Sequence, residues 1–273
     1  MNTFPPFPQK NARIGLLGLA FDENSSFKRG SALAPHRIRE AFFSDSSNLW
    51  TEDETYLGED GIFADAGDIA PSAERMPMET EQAAGQLYEA GLKVLAFGGD
   101  HSVTYPLVKA AAKYHPNLSI LHFDAHPDLY DNFENNPYSH ASPFARIMES
   151  GLVKRLVQVG IRTINGHQRK QATRFGVEVL TMQHWQDVFN VKFDSPLYVT
   201  FDMDCLDPAF APGISHREPG GLSTREALSV IQSLLTNIIG ADVVELNPTQ
   251  DPLNVTEMVA AKVFKEIVTR MLK

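Results

Sequence analysis

Three short stretches of this 273-residue chain concentrate carboxylates and imidazoles at spacings suited to holding cations. The run "SILHFDAHPDL" (residues 119–129) opens as an apolar strand and then sets Asp124, His126 and Asp128 at every second position. Alternate side chains share one face of an extended segment, so these three are expected to converge, as are Asp202 and Asp204 in "DMDCLDP". His101, in "GGDHS", supplies a second imidazole. Four aspartates facing one cleft repel one another unless protons or cations neutralise them, and a metal is the economical solution. The donor set His101, Asp124, His126, Asp128, Asp202 and Asp204 offers hard oxygen, two nitrogens and no sulfur, which favours Mn²⁺ or a similar octahedral ion over structural zinc. Six side chains are too many for one ion that must also bind water. Two ions about 3.5–4 Å apart, sharing bridging carboxylates, would use them all and hold a hydroxide between them. Four carboxylates offset two divalent ions and the hydroxide leaves one negative charge, so a cationic substrate would complete the balance.

Each motif alone has a plainer reading. "GGDHS" fits a strand-to-helix turn in which glycines relieve the backbone and Asp or Ser caps the helix. "DMD" alone fits a sugar-nucleotide transferase or a phosphatase loop, and His126 alone fits a satisfied core histidine. The combination decides for a metal site, because each motif follows a run that reads as a strand and each adds ligands of the same hardness.

The elements that must position these residues are legible as short apolar runs beginning at residues 13, 61, 92, 118, 155, 177, 196 and 241. Between them lie segments such as "MPMETEQAAGQLYEAG" and "SVTYPLVKAAAKYH", with apolar residues three and four apart as in helices. Strands alternating with helices imply a mostly parallel sheet covered on both faces. The polar clusters, including Glu245 in "ELNP", all fall where strands end, the edge at which ligands bind in such sheets. No linker or low-complexity tract interrupts the pattern, so a single domain over 1–273 is expected, closed by an amphipathic helix in "NVTEMVAAKVFKEIVTRMLK".

Composition narrows the classes further. A hydrophobic content of 43% supports a sizeable core, and a formal charge of −10 argues against nucleic acid or an anionic membrane as partner. The single cysteine, Cys205, makes no intrachain disulfide, and neither a basic leader nor a run of about 18 apolar residues is present. A cytoplasmic chain is expected.

"GGDHS", "DAHPDLY" and "FDMDCLDPAFAPG" followed by "EPGGLS" resemble, in order, the signatures of the ureohydrolases, the family of arginase and agmatinase. "FKRGSALAPHRIRE" and "ADAGDI" resemble its N-terminal pattern, so the likeness runs over nearly the whole chain. It implies a three-layer α/β/α fold with a central eight-stranded sheet, two Mn²⁺ per chain, hydrolysis of a guanidino or similar group, and a homo-oligomer, trimeric or hexameric. It also implies that His101, Asp124, Asp128 and Asp202 hold one ion and Asp124, His126, Asp202 and Asp204 the other, with Asp124 and Asp202 as bridges. A guanidinium carbon is a poor electrophile, so the attacking water must be acidified by metal. Asp128 is then the candidate to relay a proton to the departing amine. Glu245 matches the family carboxylate that orients the guanidinium, and His140 in "YSHASPF" the histidine that exchanges protons with solvent.

Substrate is read from two loops. Tyr130 stands where arginases typically carry an asparagine that reads the α-carboxylate, and "DNFENNPYSHASPF" looks more like agmatinases. Asp131 and Glu134 either sit at the rim, where they would attract the distal amine of agmatine, or belong equally well to a solvated loop. In place of the "GTGTPEPGG" of many relatives the chain has "GISHREPGG", which puts His216 and Arg217 near the entrance. Arg217 is suited to the carboxylate of a guanidino acid such as 4-guanidinobutyrate or 3-guanidinopropionate, and equally to a pair with Glu218 or a neighbouring subunit. The expectation is agmatine, cleaved to putrescine and urea, ahead of guanidino acids, arginine and formiminoglutamate. Classes outside the family are a sugar-nucleotide transferase, which gives no reason for His101 or His126, and a noncatalytic binding member, which would be expected to have lost ligands.

Overall fold

The computed structural model describes residues 3–273. Each apolar run is a strand: β1 (Ile14–Leu19), β2 (Phe63–Ile69), β3 (Lys93–Phe97), β4 (Leu118–Phe123), β5 (Val153–Ile161), β6 (Glu178–Thr181), β7 (Leu197–Asp202) and β8 (Ile238–Val244). They form one sheet in the order β2-β1-β3-β8-β7-β4-β5-β6, and every pairing between them is parallel. Between the strands run α1 (Ala34–Phe42), α2 (Met76–Glu89), α3 (Thr104–Tyr114), α4 (Pro143–Glu149), α5 (Gly166–Phe175) and α6 (Thr224–Ser233), and α7 (Val255–Leu272) follows β8.

Strand periodicity sorts the apolar side chains into two cores, one on each face of the sheet. Leu16, Leu121, Phe123 and Phe201 pack with Phe42 of α1, Leu228 of α6 and Phe264 of α7. Their neighbours in sequence, Leu17 and Ile120, pack with Leu87 of α2, Leu107 of α3 and Phe144 of α4. Three layers result, as expected for strands that are apolar on both sides. At the sheet edge, Arg39 of α1 makes paired hydrogen bonds of 2.8 Å to Asp65 and reaches Asp68, so "ADAGDI" ties β2 to α1.

The closing helix departs from the amphipathic expectation. Thirteen of the eighteen residues of α7 are buried, including Lys265, Glu266 and Arg270. The charges are tolerated because they are bonded: Glu266 accepts from the Glu52 amide, Gln232 and Lys262, and Arg270 donates to the Leu234 carbonyl and Asp53. Among the described residues no helix is long and apolar enough to cross a membrane.

Candidate functional site

The four central strands β3, β8, β7 and β4 are neighbours, and their C-terminal ends carry "GGDHS", "ELNP", "DMD" and "DAHPD" respectively. All six predicted ligands come together there. Nδ1 of His101 lies 3.2 Å from Asp124 Oδ2, 3.1 Å from Asp128 Oδ2 and 3.1 Å from Asp202 Oδ2. Nδ1 of His126 lies 3.0 Å from Asp204 Oδ2 and 3.3 Å from Asp124 Oδ1. Asp124 thus turns one oxygen to each imidazole.

The convergence has a different local cause from the extended segment expected. β4 ends at Phe123, the chain bends at Ala125 and His126, and Asp128 holds φ at 49°, in the left-handed region. Side-chain bonds to backbone set the bends: Asp124 Oδ1 accepts from the His126 amide at 2.6 Å and Asp204 Oδ1 from the Ala125 amide at 3.0 Å. Asp202 likewise caps a short turn after β7, accepting from the Asp204 amide at 2.7 Å. Glu245 holds φ at 63°, so two carboxylates of the site sit in backbone that non-glycine residues seldom adopt, a strain that persists where the surroundings enforce it.

"GGDHS" serves both of its readings. Asp100 caps the turn into α3, accepting from the Ser102 amide, while His101 faces the aspartates. Gly99 is required by close approach, since a Cβ there would meet the Phe21 carbonyl oxygen.

The donor set fits a cation. Nδ1 of His101 is buried and has no hydrogen-bond partner, although three carboxylate oxygens surround it. Burial disfavours charge on His101 and His126, yet the adjoining aspartates hold both well above their ordinary value. Burial and the charges of Asp204 and Asp124 push Asp202 well up. Such mutual perturbation marks positions that a divalent ion would neutralise.

His122, which sequence reasoning did not single out, lies close enough to Asp124 and His101 to form part of a ligand cluster. Its hydrogen bonds give it another role. Gln158 Nε2 donates to His122 Nδ1 at 3.0 Å and to the Pro127 carbonyl at 2.7 Å, so His122 Nε2–H donates to Asp124 Oδ2 at 2.7 Å. His122 therefore aims Asp124, braced by stacking on Phe144. Period two within "LHFDA" places it on the same face as Asp124, the signal by which it could have been found.

A cleft of about 260 Å³ opens over these residues, walled by His126, Asp128, Tyr130, His140, His216 and Glu245. His140 Nδ1 lies 2.9 Å from Glu245 Oε1 and its Nε2 2.8 Å from Ser26 Oγ. Burial opposes charge on His140, but the hydrogen bond and charge of Glu245 outweigh it and push the imidazole up to about 9. Glu245 Oε1 also accepts from the His101 amide at 2.9 Å.

The entrance selects among the readings its loops left open. Asp131 and Glu134 do not line the cleft, and Asp131 lies 3.1 Å from His167 Nε2. Tyr130 stacks on the same His167 and accepts from Asn165. In "GISHREPGG", Asn247 of "ELNP" holds the loop by donating to Ser215 Oγ. His216 turns inward, its ring centroid 5.2 Å from that of His140 and 5.9 Å from that of His126. Arg217 turns away and donates to the Pro212 and Gln250 carbonyls. Arg217→Ala is accordingly expected to change kcat/KM by less than about threefold for cationic and anionic guanidines alike, as for surface changes that touch no ligand. A selective loss with guanidino acids would return Arg217 to the entrance.

Comparison with known proteins agrees with this geometry. The Arginase family model matches residues 12–269. Arginase 1, mitochondrial, of Arabidopsis thaliana is 45% identical over 280 residues, spanning 96% of this chain and 82% of that protein. Agmatinase of Bacillus anthracis is 32% identical, spanning all of this chain and 96% of that protein. The solved arginase of Medicago truncatula superposes with a TM-score of 0.92 at 42% identity, over 96% of this chain and 88% of that one. With its motifs in order, its strand ends gathered and its likeness running nearly end to end, the chain belongs to the arginase family of ureohydrolases.

Proposed function

We propose that this ureohydrolase cleaves L-arginine to L-ornithine and urea with two Mn²⁺ ions. The observation that carries the substrate is the greater likeness to plant arginases, 45% identity against 32% to an agmatinase. Two features of the cleft support it. The two acidic residues expected to draw a distal amine do not line the cleft, and Asp131 lies beside His167 instead. Thr163 and Gln168, flanking the start of α5, line the cleft, and the positive end of that helix suits an α-carboxylate.

His101, Asp124, Asp128 and Asp202 would hold one ion, and Asp124, His126, Asp202 and Asp204 the other. When bound, the ions acidify water and so supply hydroxide at neutral pH. Glu245 orients the guanidinium: its Oε1 is taken by the His101 amide and His140, which leaves Oε2 for a substrate N–H. Asp128, at the cleft floor, accepts the proton released on attack and returns it to the departing amine. His140, between Glu245 and Ser26, exchanges protons with solvent. The trimer or hexamer implied by the family resemblance belongs to the same proposal and is read by sedimentation. A cytoplasmic location belongs to the same proposal, whereas the Arabidopsis relative is named as mitochondrial; cell fractionation reads it.

Agmatine is the second reading, favoured by Tyr130 in place of the usual asparagine. The test is urea release by the Mn²⁺-loaded protein from arginine, agmatine, 4-guanidinobutyrate and 3-guanidinopropionate. Arginine is expected to exceed agmatine in kcat/KM by roughly tenfold or more, because a site that bonds the α-carboxylate penalises its loss. A preference for agmatine reverses the assignment. Formamide from formiminoglutamate, with no urea from any guanidine, moves the chain to another branch of the family.

A further inference from the structure

Behind His101 a chain of hydrogen bonds leads away from the cleft into the sheet. His101 Nε2 lies 3.0 Å from Thr200 Oγ1 on β7, and Thr200 Oγ1 donates to Asp242 Oδ1 on β8 at 2.6 Å. Thr200 and Asp242 are cross-strand partners. Asp242 Oδ2 accepts from Tyr198 OH at 2.9 Å and from Thr104 Oγ1 at 3.0 Å. His101, Thr104, Thr200 and Asp242 are all fully buried. A buried carboxylate in the middle of "IIGADVV" is a costly residue for a central strand, and it does not line the cleft.

The proton count gives it a purpose. A hydroxyl has one proton, and Thr200 commits its own to Asp242, which as a carboxylate can only accept. Thr200 therefore shows His101 only lone pairs, so His101 must carry its proton on Nε2. A divalent ion would then take the place of any second proton on Nδ1, the buried nitrogen without a hydrogen-bond partner that three aspartates surround. We propose that Asp242, acting through Thr200, is a positioning residue that locks His101 in the Nε2–H tautomer and so presents the Nδ1 lone pair to a divalent ion. The inference rests on the reading of His101 as a metal ligand.

Asp242→Asn tests the direction of the chain while preserving its shape. Two hydroxyls donate at the Oδ2 position, so the amide oxygen must sit there and the amide nitrogen must face Thr200. Thr200 then accepts from Asn and turns its proton to His101 Nε2, which places the imidazole proton on Nδ1, where the ion should be. Metal-stripped protein is titrated with Mn²⁺ by calorimetry, with electron paramagnetic resonance to count bound ions and urea unfolding as a control. Asp242→Asn and Thr200→Val are each expected to weaken one of two ions by about 10–100-fold, the usual cost of losing an outer partner of a ligating histidine, and the other ion far less. Thr200→Ser should restore binding. In a Thr200→Val background Asp242→Asn should add nothing further, since the amide no longer reaches the imidazole. Wild-type affinity in Asp242→Asn, or equal cost in both backgrounds, overturns the tautomer lock. Should Asp242→Asn not fold, the contrast between Thr200→Val and Thr200→Ser decides alone. Wild-type protein that takes up no Mn²⁺ overturns the ligand role of His101 itself, a separate failure.

Discussion

Asp124→Ala is expected to strip the protein of both manganese ions and to lower urea release by roughly 10⁴-fold or more, because without acidified water the nucleophile is lost. The reason is the division of one carboxylate between two imidazoles, Oδ2 at 3.2 Å from His101 Nδ1 and Oδ1 at 3.3 Å from His126 Nδ1. Asp202→Ala should behave in the same way if it is the second bridge. Asp128→Ala should not: Asp128 approaches His101 and makes no such contact with His126, so one ion should survive. Metal analysis of the three variants beside a urea assay reads the pattern. An Asp124→Ala protein that keeps two ions, or a wild type that is active with a single zinc, removes the binuclear scheme.

His140→Asn is expected to keep both metals and lose turnover by about 10²–10⁴-fold, the range for a general acid–base group. A second readout comes from stability in the metal-stripped protein. The imidazole is held at about 9, above its ordinary 6.5, so its bond to Glu245 stabilises the fold fully below pH 6.5 and progressively less as pH rises through 9. The stability difference between wild type and His140→Asn should therefore shrink across pH 6.5–9, by up to about 3 kcal/mol. Urea unfolding at the two ends of that window measures it. Unchanged turnover, together with a difference that does not vary with pH, would assign His140 to the loop surface.

Both expectations rest on residues that could be named from the sequence, and the reason is local. Apolar runs of five to nine residues bounded by polar or glycine-rich stretches read as strands whatever lies beside them, and all eight did. The six candidate ligands were legible because hard oxygen and imidazole donors in strand-end clusters have few other uses. Burial of α7 was not legible: the polar side chains that suggested a wet face are bonded by Glu52, Asp53, Gln232 and Leu234, brought by other segments.

The entrance shows the same limit at closer range. His216 and Arg217 are adjacent in a loop without periodicity, so no pattern in the sequence says which of them faces the cleft; Asn247, gripping Ser215 from the next strand end, holds the loop in which they diverge. Asp131 read equally as a rim charge or as part of a solvated loop, and only the fold sets it beside His167 of α5 and off the cleft wall. His101 read as a ligand, but the partner of its other nitrogen sits on β7 and that partner's acceptor on β8. The sequence by itself determined the strands, the helices and the chemistry of the donor set, because these depend on residue type and on spacing along the chain. Only the tertiary structure decided which donors share a cavity, which charges are already matched and which way the buried protons run. Those depend on strand order, and insertion of β8 and β7 between β3 and β4 pairs Val94 with Gly240 and Ser119 with Leu197, segments far apart in the chain that no local pattern links.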